Sequence, residues 1–110
     1  MGTTMRGDIV VLPFPFSDLS GSKRRPAMVV AVLKGEDIIL CQITSVSRED
    51  SDAVAISEND MEIGSLSRMS YARPNRIFTA DSRIIIYRAG HLHEAKSNEV
   101  IERIINIIRG

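Results

Sequence analysis

Two dipeptides, Arg25-Pro26 and Thr44-Ser45, stand 19 residues apart in this chain of 110. A guanidinium is planar and can donate two parallel hydrogen bonds to phosphate oxygens. A threonine hydroxyl is far from ionising at neutral pH, but it can orient a phosphate or relay a hydrogen bond, and Ser45 could assist it. Such groups suit a phosphodiester that is cleaved without a metal. The 2′-hydroxyl of RNA attacks the adjacent phosphorus, and the protein has to align that nucleophile and stabilise charge growing on the phosphoryl oxygens. Arg25 and Thr44 are therefore the candidate catalytic pair.

The pair lacks a proton acceptor. Asp18, ahead of Arg25, is available, but no spacing ties it to the pair. Phe14 and Phe16, interleaved with prolines, could stack on unpaired bases or fold back onto a core. Residues 36–62 hold eight acids and one base, Arg48, whereas residues 64–88 hold five arginines and one acid, Asp81. The triplet Lys23-Arg24-Arg25 is a further basic stretch. If the basic stretches fold together they form a patch for a polyanion, with Lys23, Arg24, Arg73 and Arg76 as candidate phosphate contacts; the alternative is that they solvate separate faces. His91 and His93, with no nearby Cys or carboxylate cluster, make a poor zinc site and read as surface residues, so no metal or cofactor is expected. Cys41 sits in an apolar run and reads as a core thiol. There is no Gly-rich phosphate loop, no Cys-x-x-Cys and no nucleophile elbow.

The elements that must position these groups are legible as short runs. Residues 7–12 (GDIVVL) read as a strand, followed by a turn-rich loop of about a dozen residues, a length that is often functional. Residues 27–33 (AMVVAVL) are apolar throughout, as in a strand buried on both faces, and a compact turn at 34–37 leads into a second run, 38–43. Two strands joined so tightly pair antiparallel, which brings the start of the first, Arg25, near the end of the second, Thr44. Residues 45–52 read as a polar loop and 53–56 as a short strand. Pro74 cannot donate a ladder hydrogen bond, so a bent strand or a strand break is expected between the extended segments 66–71 and 76–79. Residues 83–88 read as a strand closed by Ala89-Gly90. Val100, Ile101, Ile104, Ile105 and Ile108 recur at helical spacing, which predicts an amphipathic helix from about Glu94 or Ser97 to Arg109. Five or six strands and one terminal helix imply a mainly β fold, a small curved antiparallel sheet or half-open barrel.

The chain is the size of one domain, 1–110. Its hydrophobic fraction of 44% and charged fraction of 25% are ordinary globular values. No apolar run approaches the roughly 20 residues of a membrane span. A single cysteine builds no internal disulfide, and the first residues lack a long apolar stretch, so a cytoplasmic setting is expected.

Read in order, Gly7-Asp8-Ile9-Val10-Val11, Arg25-Pro26-Ala27, Gln42-Ile43-Thr44-Ser45, Gly64-Ser65-Leu66, Arg76, Asp81-Ser82-Arg83 and Gly90 resemble the landmarks of the MazF/PemK toxins over nearly the whole chain. The resemblance implies an SH3-like β-barrel of the MazF/PemK/CcdB type with a C-terminal helix, acting as a homodimer. It further implies a toxin of a type II toxin–antitoxin system, a metal-independent endoribonuclease selective for sequences in single-stranded messenger RNA. A cognate antitoxin with a disordered, often acidic segment would block its RNA groove. Arg25 and Thr44 fall on the family's principal catalytic residues. Many members carry acidic or amide-rich residues just before the arginine equivalent to Arg76, whereas this chain has Ala72-Arg73-Pro74-Asn75, a cation where some relatives are thought to use a carboxylate as base. Two other readings are a CcdB-like poison that binds a topoisomerase without cutting RNA, and a degenerate member that only binds RNA or its antitoxin. CcdB relatives lack the Arg-Pro and Thr-Ser pair, so its presence here favours the nuclease.

Overall fold

The computed structural model describes residues 3–14, 23–46 and 49–110. Among these residues seven strands and one α-helix follow in chain order: β1 (Asp8–Phe14), β2 (Lys23–Val32), β3 (Asp37–Thr44), β4 (Val54–Ile56), β5 (Met61–Gly64), β6 (Ser70–Asp81), β7 (Tyr87–Leu92) and α1 (Glu94–Arg109). All pairings are antiparallel, in the spatial order β4-β6-β3-β2-β1-β7-β5, and the sheet curls into a half-barrel. The apolar runs are buried on both faces. Ile9, Met28, Cys41 and Ile43 pack with Leu92 and the helix residues Val100 and Ile104. Their sequence neighbours Val10, Ala27, Val29 and Leu40 turn to the opposite face and pack with Leu12, Phe14 and Ile38. Ile104 is buried, but Ile108, expected on the same apolar stripe, is 70% exposed in the last turn.

Three expectations need correction. Residues 83–88 do not form a strand: the Asp81 carboxylate accepts the Arg83 N–H at 2.8 Å and holds the Arg83 guanidinium at 2.7 Å. These local bonds curl Ser82–Ile84 into a 3-10 turn and delay the strand to Tyr87. Ala89 and Gly90 consequently lie inside β7 rather than closing a strand. The strand β5 was missing from the expected set. It docks where glycines allow it: a Cβ on Gly90 would collide with the Ile63 carbonyl oxygen, and one on Gly64 with the Ala89 carbonyl oxygen. Thirdly, His91 is not a surface residue. Its ring, 18% exposed, lies 2.8 Å through Nδ1 from Asp8, a carboxylate only 1% exposed that also accepts the Met5 N–H at 3.0 Å. This cluster fastens the chain entering β1 to β7.

The region around Pro74 is a bent strand. Cys41 pairs with Ile77 and the next residue, Gln42, pairs with Arg73, so Pro74, Asn75 and Arg76 bulge out of the ladder where the missing proline N–H costs no sheet bond.

Candidate active site

Strand β2 pairs with β3 from Ala27 opposite Gln42 to Val32 opposite Ile38. Arg25 lies on β2 two residues beyond Ala27, and Thr44 closes β3 two residues beyond Gln42. Side chains alternate along a strand, so Arg25 shares the face of Ala27 and Val29, and Thr44 that of Gln42 and Leu40. Both therefore belong to one face of the sheet. On β6 the partners on that face are Tyr71, opposite Thr44, and Arg73, opposite Gln42.

A pocket of about 170 Å³ opens beside Thr44, lined also by Asp50, Ala55, Tyr71 and Arg73. Thr44 Oγ1 accepts the N–H of Val46 at 3.1 Å, so its own proton remains available to a ligand. Arg73 Nε donates to Asp50 Oδ2 at 3.2 Å, with the two side chains 16% and 9% exposed. Asn75 Nδ2 reaches Asp50 Oδ1 at 3.3 Å, and the Asp52 N–H reaches the same oxygen at 3.0 Å. Burial pushes the Asp50 carboxyl upward, but the Asp52 N–H, the Arg73 guanidinium and the Asn75 amide together outweigh it and hold the group below the ordinary carboxylate range. Asp50 is thus ionised near neutral pH and a poor proton acceptor. The loop bearing it is tied to α1, where Arg103 Nη1 donates to the carbonyls of Ser51 and Asp52 at 3.2 and 3.3 Å.

On the same side of the sheet a groove of about 510 Å³ is walled by Leu12, Phe14, Gln42, Arg76 and Phe78. Phe14 is buried, edge to face on Phe78 with ring centroids 4.9 Å apart, so it belongs to the core while forming the groove wall. Arg76, Lys23, Arg24, Arg25 and Ser45 are exposed. Arg73 is half-buried and engaged with Asp50. Phe16 and Asp18 lie outside the described residues. Asp50, Asn75 and Tyr71 were absent from the sequence-based site. Asp50 and Arg73 are 23 residues apart, and only the register of β6 brings the arginine to the acidic loop. Cys41 is buried, which raises its thiol pKa to about 12 and leaves it unreactive. Among the described residues no three His, Cys, Asp or Glu side chains come together as a metal site.

Residues 5–108 match the family model described as the PemK-like, MazF-like toxin of the type II toxin–antitoxin system. The chain belongs to the PemK/MazF toxin family. No curated protein sequence matches it significantly. Solved structures of the PemK/MazF type share its fold at low identity. An endoribonuclease in complex with its cognate antitoxin from a mycobacterial species superposes with a TM-score of 0.78 at 14% identity, covering 97% of this chain and 96% of that one. MazF from Deinococcus radiodurans gives 0.76 at 17% identity, with both chains covered completely at 100%. The Mycobacterium tuberculosis toxin MazF-mt6 gives 0.72 at 16% identity, over 93% of this chain and 96% of that one.

Proposed function

We propose that this family member is a metal-independent endoribonuclease, the toxin of a type II pair, which cleaves single-stranded messenger RNA in the cytoplasm. The observation that supports this reading is that strand alternation beyond the Ala27–Gln42 pair puts Arg25 and Thr44 on the face of the sheet that holds the pocket and the groove. The 2′-oxygen forms a bond to phosphorus as the bond to the 5′-oxygen breaks. One proton leaves the 2′-hydroxyl and one is taken up by the departing oxygen, so a 2′,3′-cyclic phosphate and a 5′-hydroxyl result with no water consumed. Arg25 supplies two N–H donors to the phosphoryl oxygens, and Thr44 orients the phosphate with its free proton. The exposed cations Lys23, Arg24 and Arg76 hold the strand by its phosphates, and Gln42 and the groove wall meet its bases. Solved relatives in complex with an antitoxin support a cognate antitoxin as the natural inhibitor, and the working unit is taken to be the homodimer that the family resemblance implies.

The test is incubation of purified protein with a long, sequence-diverse RNA in EDTA, followed by mapping of the ends. Fragments ending in a cyclic phosphate and a 5′-hydroxyl are expected. No cleavage of any such RNA would reject the nuclease, and cleavage abolished by EDTA would reject the mechanism.

A further inference from the structure

An oxygen that departs from phosphorus must take up a proton, and the pocket beside Thr44 narrows the choice of donor. Its polar lining is Thr44, Asp50, Tyr71 and Arg73. Asp50 is ionised near neutral pH, with the Asp52 N–H and Asn75 on one oxygen and Arg73 on the other, so it has no proton to give. A guanidinium does not deprotonate in proteins, and an aliphatic hydroxyl such as that of Thr44 is no better an acid than the alcohol that leaves. Tyr71 remains. A phenol is a far stronger acid than an alcohol, so its proton passes downhill to an alkoxide. The backbone puts this phenol beside Thr44. Tyr71 is the partner of Thr44 on β3 and of Ala55 on β4, so β6 is held from both sides and the three side chains share one face. Opposed residues on one face have Cβ atoms about 4.5–5.5 Å apart, which brings Tyr71 and Thr44 side by side. Ala55, on the other flank, is a single methyl and leaves space along the ring. Tyrosines that are buried ordinarily bond their hydroxyl, yet Tyr71 is half-buried and, among the described residues, its hydroxyl makes no hydrogen bond. It stands open on the wall of a pocket of about 170 Å³, well above the ~10–15 Å³ that one water requires.

We infer that Tyr71 is a catalytic residue, the general acid that gives its phenolic proton to the departing 5′-oxygen of a phosphate held at Thr44. The inference rests on the nuclease reading and supplies the proton which that reading leaves unassigned. As the bond from phosphorus to the 5′-oxygen breaks, its electron pair stays on the oxygen and takes the Tyr71 proton. The 2′-hydroxyl gives its own proton to water, and the phenolate regains one from water, so protons balance over a turnover.

The experiment measures kcat and KM in EDTA for the full-length chain and for Tyr71→Phe. Two substrates are compared: a short RNA carrying the cleavage site found with the long one, and the same RNA with sulfur in place of the bridging 5′-oxygen at that site. A thiolate leaves without taking up a proton, so the sulfur substrate has no use for a general acid. On the oxygen substrate Tyr71→Phe is expected to lower kcat about 100-fold or more with KM little changed. On the sulfur substrate it is expected to match the unaltered enzyme, a rescue that a merely structural role of the ring would not produce. The variant removes one oxygen that has no partner among the described residues, so its melting transition should equal that of the unaltered chain. Failure of Tyr71→Phe to fold would overturn the inference, because the hydroxyl would then serve the fold. Full kcat in Tyr71→Phe, or an equal loss on both substrates, with Arg25→Ala inactive, would overturn it as well and leave the nuclease standing. Absence of cleavage by the unaltered protein would overturn both.

Discussion

Replacing Asp8 by alanine should cost about 3–4 kcal/mol of stability without touching the chemistry. The carboxylate is 1% exposed and has three neighbours: His91 Nδ1 at 2.8 Å, the Met5 N–H at 3.0 Å and Arg88 Nη1 at 3.5 Å. Arg88 is 49% exposed and at the limit of bonding distance, so it rehydrates at little cost. The two short bonds remain, each worth about 1.5–2 kcal/mol because the acceptor is charged and their donors are partly shielded. For a chain of 110 residues each kcal/mol moves the melting point by about 4 °C, giving a fall of roughly 12–16 °C. Asp8→Asn, which keeps one acceptor oxygen, should lose about half as much. Asp8 opens a seven-residue strand whose other end borders the groove, about 20 Å away at 3.3 Å per residue, so the kcat of the folded fraction should not change. Urea and thermal melts, with cleavage assayed well below the transition, measure both quantities. A loss under 1 kcal/mol, or a fall in kcat with stability intact, would refute the assignment of this cluster to structure.

Three further outcomes follow from the same geometry. The Asp50 carboxyl is held below its ordinary value of 3.8, so its contribution to stability is complete above that value and is lost as pH falls through the lower folded-state pKa. The stability gap between the unaltered chain and Asp50→Asn should therefore be constant near neutrality and shrink only below pH 3.8, as denaturant melts across that range will show. Gly90→Ala should detach β5 from β7, because the new methyl would meet the Ile63 carbonyl, and hydrogen exchange should register faster exchange of the β5 amides. Cys41, with its pKa raised to about 12, should resist iodoacetamide at pH 8 in the native protein and react readily in urea; reaction at equal rates would mean the thiol is not enclosed.

The fold was largely readable because its strands are apolar runs buried on both faces and its helix keeps a clean 3.6 period. The β2–β3 pairing needed only the short turn between them, and with it the placing of Arg25 and Thr44 on one face of the sheet. What escaped was set by contacts that leave no local pattern. Residues 83–88 have the composition of a strand, yet the Asp81–Arg83 bonds divert them. β5 is four residues of unremarkable sequence, paired because two glycines let backbones approach. His91 looked like surface because nothing in its neighbourhood announces Asp8, 83 residues away. Arg73 read as a departure from the pattern. Its meaning depends on Asp50, which joins it only after the bulge at 74–76 has set the register of β6.

The most direct test of the central claim is a double-mutant cycle on Arg25 and Thr44, reading kcat/KM for RNA cleavage in EDTA. If the two side chains act together on one phosphate, Arg25→Ala should cost about 100- to 1000-fold and Thr44→Ala a lesser but severe loss, and the double variant should be no slower than Arg25→Ala alone. Full activity in either single variant, or losses that simply multiply in the double, would contradict a shared site.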